Sequence, residues 1–247
     1  MNHAGEITPL TKLVQPHVAI VTTVGPAHLE NFDSIEGIAE AKAEIFLGVV
    51  PGGAAILPID NDYYGILKSL AEKARIERLI TFGESAGADV KLIACADEGE
   101  GSALTVKMNG ETIEYALGAP GRHQAQNSLA VIAALKALDA PLQPALKALG
   151  KLKAAEGRSA RRKIAIPDSG EILLIDKSYN ANPASMRAAL QLLAAAKPKG
   201  AGRRIAVLGE MLELGPDAPA MHAGLAQPLQ EAHVERLFVA GALMDHL

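Results

Sequence analysis

Apolar segments of strand length alternate with segments of helical periodicity in the first part of the chain, and this alternation limits the possible folds more than any other feature. Apolar runs at residues 17–24, 54–59 and 78–83 have the length of buried strands. Helical patterns separate them: one begins after the capping residue Ser34, and another ends near Arg75. Alternation at this spacing predicts a mainly parallel sheet flanked by helices, which is an α/β fold.

The next segment predicts an addition to that sheet. Two runs of alternating polarity within residues 104–117 are joined by Asn109-Gly110, which is typical of an antiparallel hairpin. We expect this hairpin at the edge of the sheet. Helices are predicted at residues 124–138 and 142–150, with Pro141 between them as a helix breaker.

A polar, basic stretch at residues 151–163 has no clear apolar period, which favours a linker between two domains. Beyond it the alternation of strands and helices restarts. The predicted strands lie at residues 172–176, 204–208 and 237–240, and the predicted helices lie at residues 183–196 and 218–232. We therefore predict two domains, residues 1–157 and residues 158–247, the second being an α/β unit that ends early.

Charge and composition narrow the functional classes. A formal net charge of -4 supplies no basic field for a nucleic acid, so we expect no nucleic-acid partner. Cys95 is the single cysteine, which excludes an internal disulfide and favours a reducing compartment, and its apolar neighbours predict a buried thiol. The N-terminus does not resemble a signal peptide, and no apolar window reaches membrane-spanning length. We expect a soluble, cytoplasmic protein without a membrane partner.

Two residues in the first part of the chain could carry metal chemistry. His28 lies in residues 25–30 (Gly-Pro-Ala-His-Leu-Glu) after a predicted strand, where open α/β sheets bind ligands, although a hydrogen-bonded histidine without a functional role is the alternative. Lys42 lies between Glu40 and Glu44 on a predicted helix. It is either a salt-bridged surface lysine or an amine of lowered pKa that adds carbon dioxide and forms a carbamate, an oxygen ligand for Mg²⁺.

Polar residues also mark three later segments. Gln124 and Asn127 share one face near the start of a helix, where their amides could contact a base edge or cap the helix. Asp176 ends a predicted strand and opens a polar segment that is a favoured place for ligands, although Asn182-Pro183 is also an ordinary helix start. Residues 209–215 follow the next predicted strand, and a simple connection is the alternative there.

Several common catalytic motifs are absent from the sequence. It contains no Gly-x-x-x-x-Gly-Lys-Ser/Thr loop, which would bind nucleotide phosphates through backbone amides and a lysine. It also contains no cysteine and histidine spacing of a zinc site. A zinc-enzyme hypothesis therefore loses its usual support.

Five short segments, in this order, carry a resemblance to a known family. They are residues 1–7 (Met-Asn-His-Ala-Gly-Glu-Ile), 25–30, 41–46 (Ala-Lys-Ala-Glu-Ile-Phe), 178–183 (Ser-Tyr-Asn-Ala-Asn-Pro) and 211–215 (Met-Leu-Glu-Leu-Gly). Over nearly its whole length the chain resembles the Mur ligases, and most closely the group that adds D-Ala-D-Ala to UDP-N-acetylmuramoyl-tripeptide in peptidoglycan synthesis. The resemblance implies a three-domain enzyme, of which this chain is a fragment with most of the central ATPase domain and part of a C-terminal Rossmann-like domain. The N-terminal domain and the phosphate loop would precede it.

The resemblance also implies a reaction and residue roles. ATP would phosphorylate the carboxylate of the peptide substrate, and the amine of D-Ala-D-Ala would attack the acyl phosphate, with Mg²⁺ neutralising charge. His28 would bind Mg²⁺, and Lys42 would be a carbamylated lysine beside it. The residues implied at the nucleotide are Gln124 and Asn127 at the adenine, Arg158 near the phosphates and Asp176 near the ribose. The expected assembly state is a monomer.

Three positions depart from the family pattern, so details of nucleotide contact are expected to differ. They are Lys177 in place of a usual Asp, Gln124 in place of Asn and Thr23 in place of Asn.

Two alternative functions remain open. A folylpolyglutamate synthase-like ligase has a similar architecture, although residues 179–183 argue against it. A non-catalytic binding fragment is the other, since lack of the phosphate loop would remove a large source of transition-state stabilisation.

Overall fold

The computed structural model of the protein describes residues 1–26, 31–98, 101–153, 160–167, 170–200 and 202–247. The helices of the first part are α1 (Ile7–Val14), α2 (Ile35–Ala43), α3 (Tyr64–Lys73), α4 (Arg122–Ala137) and α5 (Leu142–Leu149), with a 3-10 helix at Glu44–Gly48. Its strands are β1 (Val18–Ile20), β2 (Ala54–Pro58), β3 (Arg78–Gly83), β4 (Val90–Asp97), β5 (Ser102–Met108) and β6 (Glu111–Leu117). The later elements are β7 (Ala160–Ile166), β8 (Gly170–Asp176), α6 (Pro183–Ala195), β9 (Ile205–Gly209), α7 (Ala218–Ala223), α8 (Ala226–Glu231) and β10 (Arg236–Ala240), with 3-10 helices at Gly215–Asp217 and Ala242–His246.

The first six strands form one sheet in the order β1-β2-β3-β4-β5-β6. Strands β1 to β4 are parallel, and β5 and β6 are added in antiparallel orientation. The predicted mainly parallel sheet, with a hairpin at its edge, is confirmed. The sequence interpretation had missed β4, the strand at which the orientation changes, because it pairs parallel with β3 and antiparallel with β5.

Helices cover both faces of this sheet. Side chains alternate along β2, so Ile56 packs into a cluster that includes Leu129 of α4, while the next residue, Leu57, packs with Ile38 of α2 and Leu67 of α3. A parallel strand between two helix layers must be apolar on both sides. This explains why β2 is a continuous apolar run.

Local capping agrees with the sequence at two helix starts. The Ser34 side chain accepts a hydrogen bond from Gly37 N at 3.2 Å, which caps α2. At α6, Asn182 and Ser185 form a reciprocal capping box, and Pro183 occupies the first turn. At α3 the N-cap is Tyr63, which forms no capping hydrogen bond through its side chain.

The predicted linker at residues 151–163 is wrong in its last part. Residues 160–163 begin β7, which pairs antiparallel with β8, and Arg162 lies opposite Leu174. The strand was not predicted because the charged side chains of residues 161–163 lack the expected apolar alternation. The Arg161 side chain is only 10% exposed and forms an ion pair with Asp97 at 3.3 Å, so its stem is packed although its head is charged.

The single helix predicted at residues 218–232 is also wrong, because two short helices occupy the segment. α7 ends at Ala223, and α8 begins at Ala226. Pro228 has no N–H to donate to the carbonyl of Gly224 and its ring would clash with that carbonyl in a continuous helix. The proline therefore accounts for the break.

The C-terminal region has a small parallel pair of strands beside its helices. β9 and β10 are parallel and in register from Ile205 opposite Arg236. Side chains from α6, α7 and α8 pack with β9 in a third cluster that includes Met211 and Leu225, both fully buried. The proposed domain boundary at residue 157 lies outside the described residues and stays a prediction.

Two smaller findings complete the fold. Cys95 is half-buried instead of fully buried, and burial raises the pKa of its thiol. In the part of the chain that the structure describes, no helix is long and apolar enough to cross a membrane.

Candidate functional site

Lys42 lies where the backbone leaving β1 meets α2. Its Nζ donates a hydrogen bond to the carbonyl oxygen of Thr23 at 2.9 Å, and Asn61 Nδ2 donates to the carbonyl of the next residue, Val24, at 2.8 Å. The side chain is half-buried, and this burial lowers the pKa of the Lys42 ammonium. A lower pKa increases the fraction of neutral amine, which is the form that reacts with carbon dioxide.

Glu44 is engaged elsewhere, so it does not pair with Lys42. Its Oε2 accepts hydrogen bonds from Ile7 N at 3.1 Å and from Thr8 N and Thr8 Oγ1 at 2.9 Å each, and its Oε1 accepts from Gly5 N. Burial raises the pKa of Glu44, and these hydrogen bonds lower it to a net value below the ordinary one. Among the described residues no ion pair joins Lys42 to Glu40 or Glu44, so the surface salt-bridge interpretation of Lys42 is wrong there.

The Glu44 contacts also join two of the sequence motifs. Residues 1–7 and residues 41–46 are far apart in the chain, yet the carboxylate on one binds the backbone amides of the other. A carboxylate that accepts several N–H groups at the start of α1 also compensates the positive end of that helix. Glu44 in the motif at residues 41–46 therefore has a structural role, because it anchors the N-terminal segment.

Two predicted site residues, His28 and Arg158, lie outside the described residues. Within the described ranges, no group of three or more His, Cys, Asp or Glu side chains could hold a metal ion. The donor chemistry of Lys42 nevertheless fits Mg²⁺ after carbamylation, because the carbamate would supply the oxygen atoms that this ion prefers. The metal roles of His28 and Lys42 stay predictions.

The start of α4, which carries Gln124 and Asn127, is held by the loop after β3. Arg122 and Gln126 both bind Glu84: Arg122 Nε and Gln126 Nε2 donate to Glu84 Oε1 at 2.7 and 2.9 Å. Gln124 is half-buried and Asn127 is exposed, and both lie in the first two turns of the helix. The Glu84 contacts thus orient the helix start while leaving the amide of Asn127 accessible to a ligand.

Gly121, which precedes this helix start, lies close to both His123 and the C-terminal region. A Cβ at Gly121 would lie 3.0 Å from the His123 ring and 3.1 Å from a methyl group of Leu192 in α6, and Gly121 has a φ of +106°. Burial and then the positive charge of Lys177 lower the pKa of His123 to about 4, so the ring is neutral at physiological pH. Lys177 follows Asp176 in sequence, and the structure therefore brings the two segments predicted at the nucleotide close together.

Asp176 stabilises the turn that follows β8. Its Oδ1 accepts hydrogen bonds from Ser178 N at 3.1 Å and Ser178 Oγ at 2.7 Å, and its Oδ2 lies 3.8 Å from Arg162 Nη2. The sequence interpretation had placed Arg162 in a linker and had missed this partner. The contacts leave the predicted ribose role of Asp176 untested.

The last two motifs meet over one hydrophobic cluster. Ala181 and Met186 contribute to it from residues 178–183 and α6, and Met211 and Leu214 contribute from residues 211–215. The segment at residues 209–215 is also bound by His222, whose Nε2 accepts from Met211 N of this loop and whose Nδ1 donates to Ala218 O of its own helix. Sequence reasoning had missed His222, a lone histidine in a helix without a motif around it.

Comparison with known proteins agrees with this arrangement. Residues 1–135 match the Mur ligase middle domain, and residues 161–246 match a domain described as the Mur ligase, glutamate ligase domain. The chain belongs to the Mur ligase family.

Named relatives of this Mur ligase chain are about twice as long. A UDP-N-acetylmuramoyl-tripeptide–D-alanyl-D-alanine ligase from Rickettsia prowazekii is 32% identical over 253 residues, covering 100% of this chain and 53% of the relative. A relative of the same name from Escherichia coli is 33% identical, covering 97% of this chain and 51% of the relative. The chain therefore spans about half the length of the curated relatives it matches.

Solved structures show the same family fold. A MurF crystal structure from Acinetobacter baumannii superimposes with a TM-score of 0.88 at 32% identity, covering 100% of this chain and 51% of that one. A MurF ligase from Thermotoga maritima in complex with ADP has a TM-score of 0.83 at 25% identity, covering 98% of this chain and 53% of that one. The fold of both parts of the chain is that of Mur ligase middle and C-terminal domains.

Proposed function

We propose that this chain provides the parts that bind the nucleotide and the incoming amine in an ATP-dependent ligase. That ligase joins D-Ala-D-Ala to UDP-N-acetylmuramoyl-tripeptide in peptidoglycan synthesis. The observation that carries the proposal is the environment of Lys42, whose half-buried amine is bound to Thr23 O and is not paired with the neighbouring Glu44. The names of the two relatives support the choice of substrates. We also propose that the protein acts in the cytoplasm as a monomer.

Lys42 has the chemistry of a carbamylated metal ligand. The neutral Nζ attacks the carbon of carbon dioxide, a new N–C bond forms, and the nitrogen loses one proton to solvent. The product is a carbamate with one negative charge, and burial that disfavours the ammonium form favours this reaction. Mg²⁺, held by the carbamate and His28, would supply charge neutralisation at the phosphoryl groups.

The nucleotide would bind across the contact between α4 and the turn after β8. Asn127 and Gln124 supply amide donors and acceptors for a base edge, while Asp176 supplies a carboxylate for ribose hydroxyls and Arg158 a guanidinium for phosphates. The ADP complex of the Thermotoga structure supports a nucleotide in the family. Reaction would then depend on position: the amine must lie close to the acyl phosphate carbon with water excluded.

Calorimetric titration of this chain with a non-hydrolysable ATP analogue and Mg²⁺ tests the nucleotide site. We expect binding that falls by about tenfold or more in His28→Ala, the loss typical of a metal-site change. The matched control is His17→Ala, which removes an exposed histidine and should leave the affinity unchanged. A folded chain that binds no nucleotide would contradict the proposal for this part of the protein.

The modification of Lys42 has its own test. Carbon-13 NMR with labelled bicarbonate should show a carbamate signal in the native chain that Lys42→Gln abolishes and Lys68→Gln retains, since Lys68 is exposed and paired with Glu72. A signal that survives Lys42→Gln would assign the carbamate to another lysine. Substrate identity is tested by ADP release from the full-length ligase that contains this chain, supplied with ATP and UDP-N-acetylmuramoyl-tripeptide; release should require D-Ala-D-Ala and should not occur with a glutamate acceptor.

A further inference from the structure

His222 is a fully buried residue of α7 whose two ring nitrogens both have partners. Its Nε2 accepts a hydrogen bond from Met211 N at 2.9 Å, and its Nδ1 lies 2.6 Å from the carbonyl oxygen of Ala218. A backbone N–H can only donate and a carbonyl can only accept. The ring must therefore be neutral, with its proton on Nδ1, and no other tautomer satisfies both contacts.

The loop at residues 209–215 is held from its other side by Glu210. Glu210 N donates to Ala240 O at 3.0 Å, and Glu210 Oε2 accepts from Leu243 N at 3.1 Å. The carboxylate packs so closely on Gly241 that a Cβ there would lie 2.5 Å from Glu210 Cδ. With His222 on one side and Glu210 on the other, adjacent loop residues are bound to two different helical segments.

Met211 packs between this loop and the segment at residues 178–183. Its side chain is fully buried in the cluster that also includes Ala181 and Met186. Ala181 belongs to residues 178–183, which follow the Asp176 turn, and Asp176 binds Ser178 in that turn. A shift of Met211 would therefore change the packing under the turn, because interiors are close-packed and deform little without cost.

We propose that His222 is a positioning residue that fixes the loop at residues 209–215, and through Met211 the turn at Asp176, in the geometry that nucleotide binding requires. This rests on the nucleotide site proposed above. A histidine that only fills space could be exchanged for leucine with little effect on the loop. Leucine at position 222 would instead leave the Met211 N–H buried without an acceptor.

The hydrogen-bond geometry is tested first on the 247-residue chain, without any ligand. Nitrogen-15 NMR of the His222 ring should show one neutral tautomer, with Nδ1 protonated and Nε2 as an acceptor. Exchange of the Met211 amide with solvent should accelerate by about tenfold in His222→Leu, since its acceptor is lost. His222→Gln should restore protection, because the Gln amide can accept from Met211 N and donate to Ala218 O. Averaged tautomers, or an unchanged Met211 exchange rate in His222→Leu, would overturn the proposal.

The effect on the site is tested by titration with the ATP analogue and Mg²⁺. His222→Leu should weaken binding by about tenfold, and His222→Gln should bind as the native chain does. Leu229→Ala is the structural control, since it removes a buried side chain of the same cluster that lies on α8. Equal weakening in Leu229→Ala and His222→Leu, without rescue by His222→Gln, would reduce His222 to a core residue and refute its positioning role.

The two proposals fail in distinguishable ways. If the native chain binds no nucleotide but shows the single tautomer and the Met211 effect, the proposed function fails for this chain and the loop contact stands. If nucleotide binds equally well in His222→Leu, the proposed function stands and the positioning role is refuted.

Discussion

Strands β2 and β10 are both short, apolar and parallel to a neighbour, but their side chains lie in opposite environments. All five residues of β2 are buried, whereas all five residues of β10 are exposed. In β9, Ala206 and Leu208 are buried while Val207 is 76% exposed. The first sheet has helices on both faces, whereas β9 contributes one face, with Ala206 and Leu208, to the third cluster and β10 contributes no residue to it.

The difference shows that apolar composition does not decide burial by itself. Leu237, Phe238 and Val239 in β10 are as apolar as the centre of β2, yet they are 40%, 58% and 49% exposed. Burial requires a partner layer, and the stabilisation follows the apolar area removed from water, at about 25 cal/mol per Å². Equal substitutions in the two regions should therefore have unequal costs.

The largest expected effect is a truncation in the covered sheet. Leu129→Ala removes a fully buried side chain of α4 and should lower the free energy of unfolding by about 2–5 kcal/mol. Val207→Ala, in the exposed face of β9, should change it by about 0.5 kcal/mol or less. Urea denaturation of both variants measures the contrast. Equal losses would mean that the two regions do not differ in the way that their burial indicates.

A backbone substitution should show that the C-terminal region also has a tightly packed point. Gly241→Ala should destabilise the chain by about 1–3 kcal/mol, because φ is +106° and the new Cβ would meet the Glu210 carboxylate. The matched control is Gly65→Ala in α3, where nothing lies within 4 Å of the new Cβ, and a gain of up to about 1 kcal/mol is expected. Thermal unfolding of the two variants measures both changes, and a neutral Gly241→Ala would contradict both the strain at this φ and the close approach of Glu210.

The third prediction concerns the pH dependence of stability at His123. The pKa of His123 is lowered to about 4 in the folded chain from 6.5, so the unfolded chain binds the proton more readily between these values. The contribution to stability is thus complete above pH 6.5 and is lost as the pH falls through about 4. Unfolding curves across this range should lose part of their pH dependence in His123→Leu.

The exposed His17 provides the control for this titration. His17→Leu replaces a histidine outside this helix start and should leave the slope as it is in the native chain. A slope that is the same in His123→Leu and in the native chain would show that burial and the charge of Lys177 do not lower the pKa of His123.

Features with a local cause were predictable from the sequence. Asn109-Gly110 specified the hairpin because both residues accept a positive φ, which they have here, at 52° and 83°. Ser34 and Asn182 specified helix starts because their side chains bind amides only three residues away. Segments without a local signal were missed: β7 carries charged side chains, and its strand form depends on pairing with β8.

The residues of the candidate site were predictable from the sequence, but their contacts were not. The motifs identified Lys42, Gln124, Asn127 and Asp176 by residue type and place in the chain. They did not reveal that Glu44 binds the N-terminal segment, that Glu84 holds the start of α4, or that Arg162 reaches Asp176. These partners come from distant parts of the chain, and no spacing in the sequence relates them.

The sequence by itself determined the alternation of strands and helices, the hairpin, the helix caps and the family, because each depends on neighbouring residues or on motifs in order. Only the tertiary structure decided which apolar strands are buried, which carboxylate pairs with which donor, and which tautomer His222 adopts. The physical reason is that burial lowers the pKa of Lys42, neutralises His123 and makes an unpaired amide costly, and burial is created by contacts between segments that are remote in sequence.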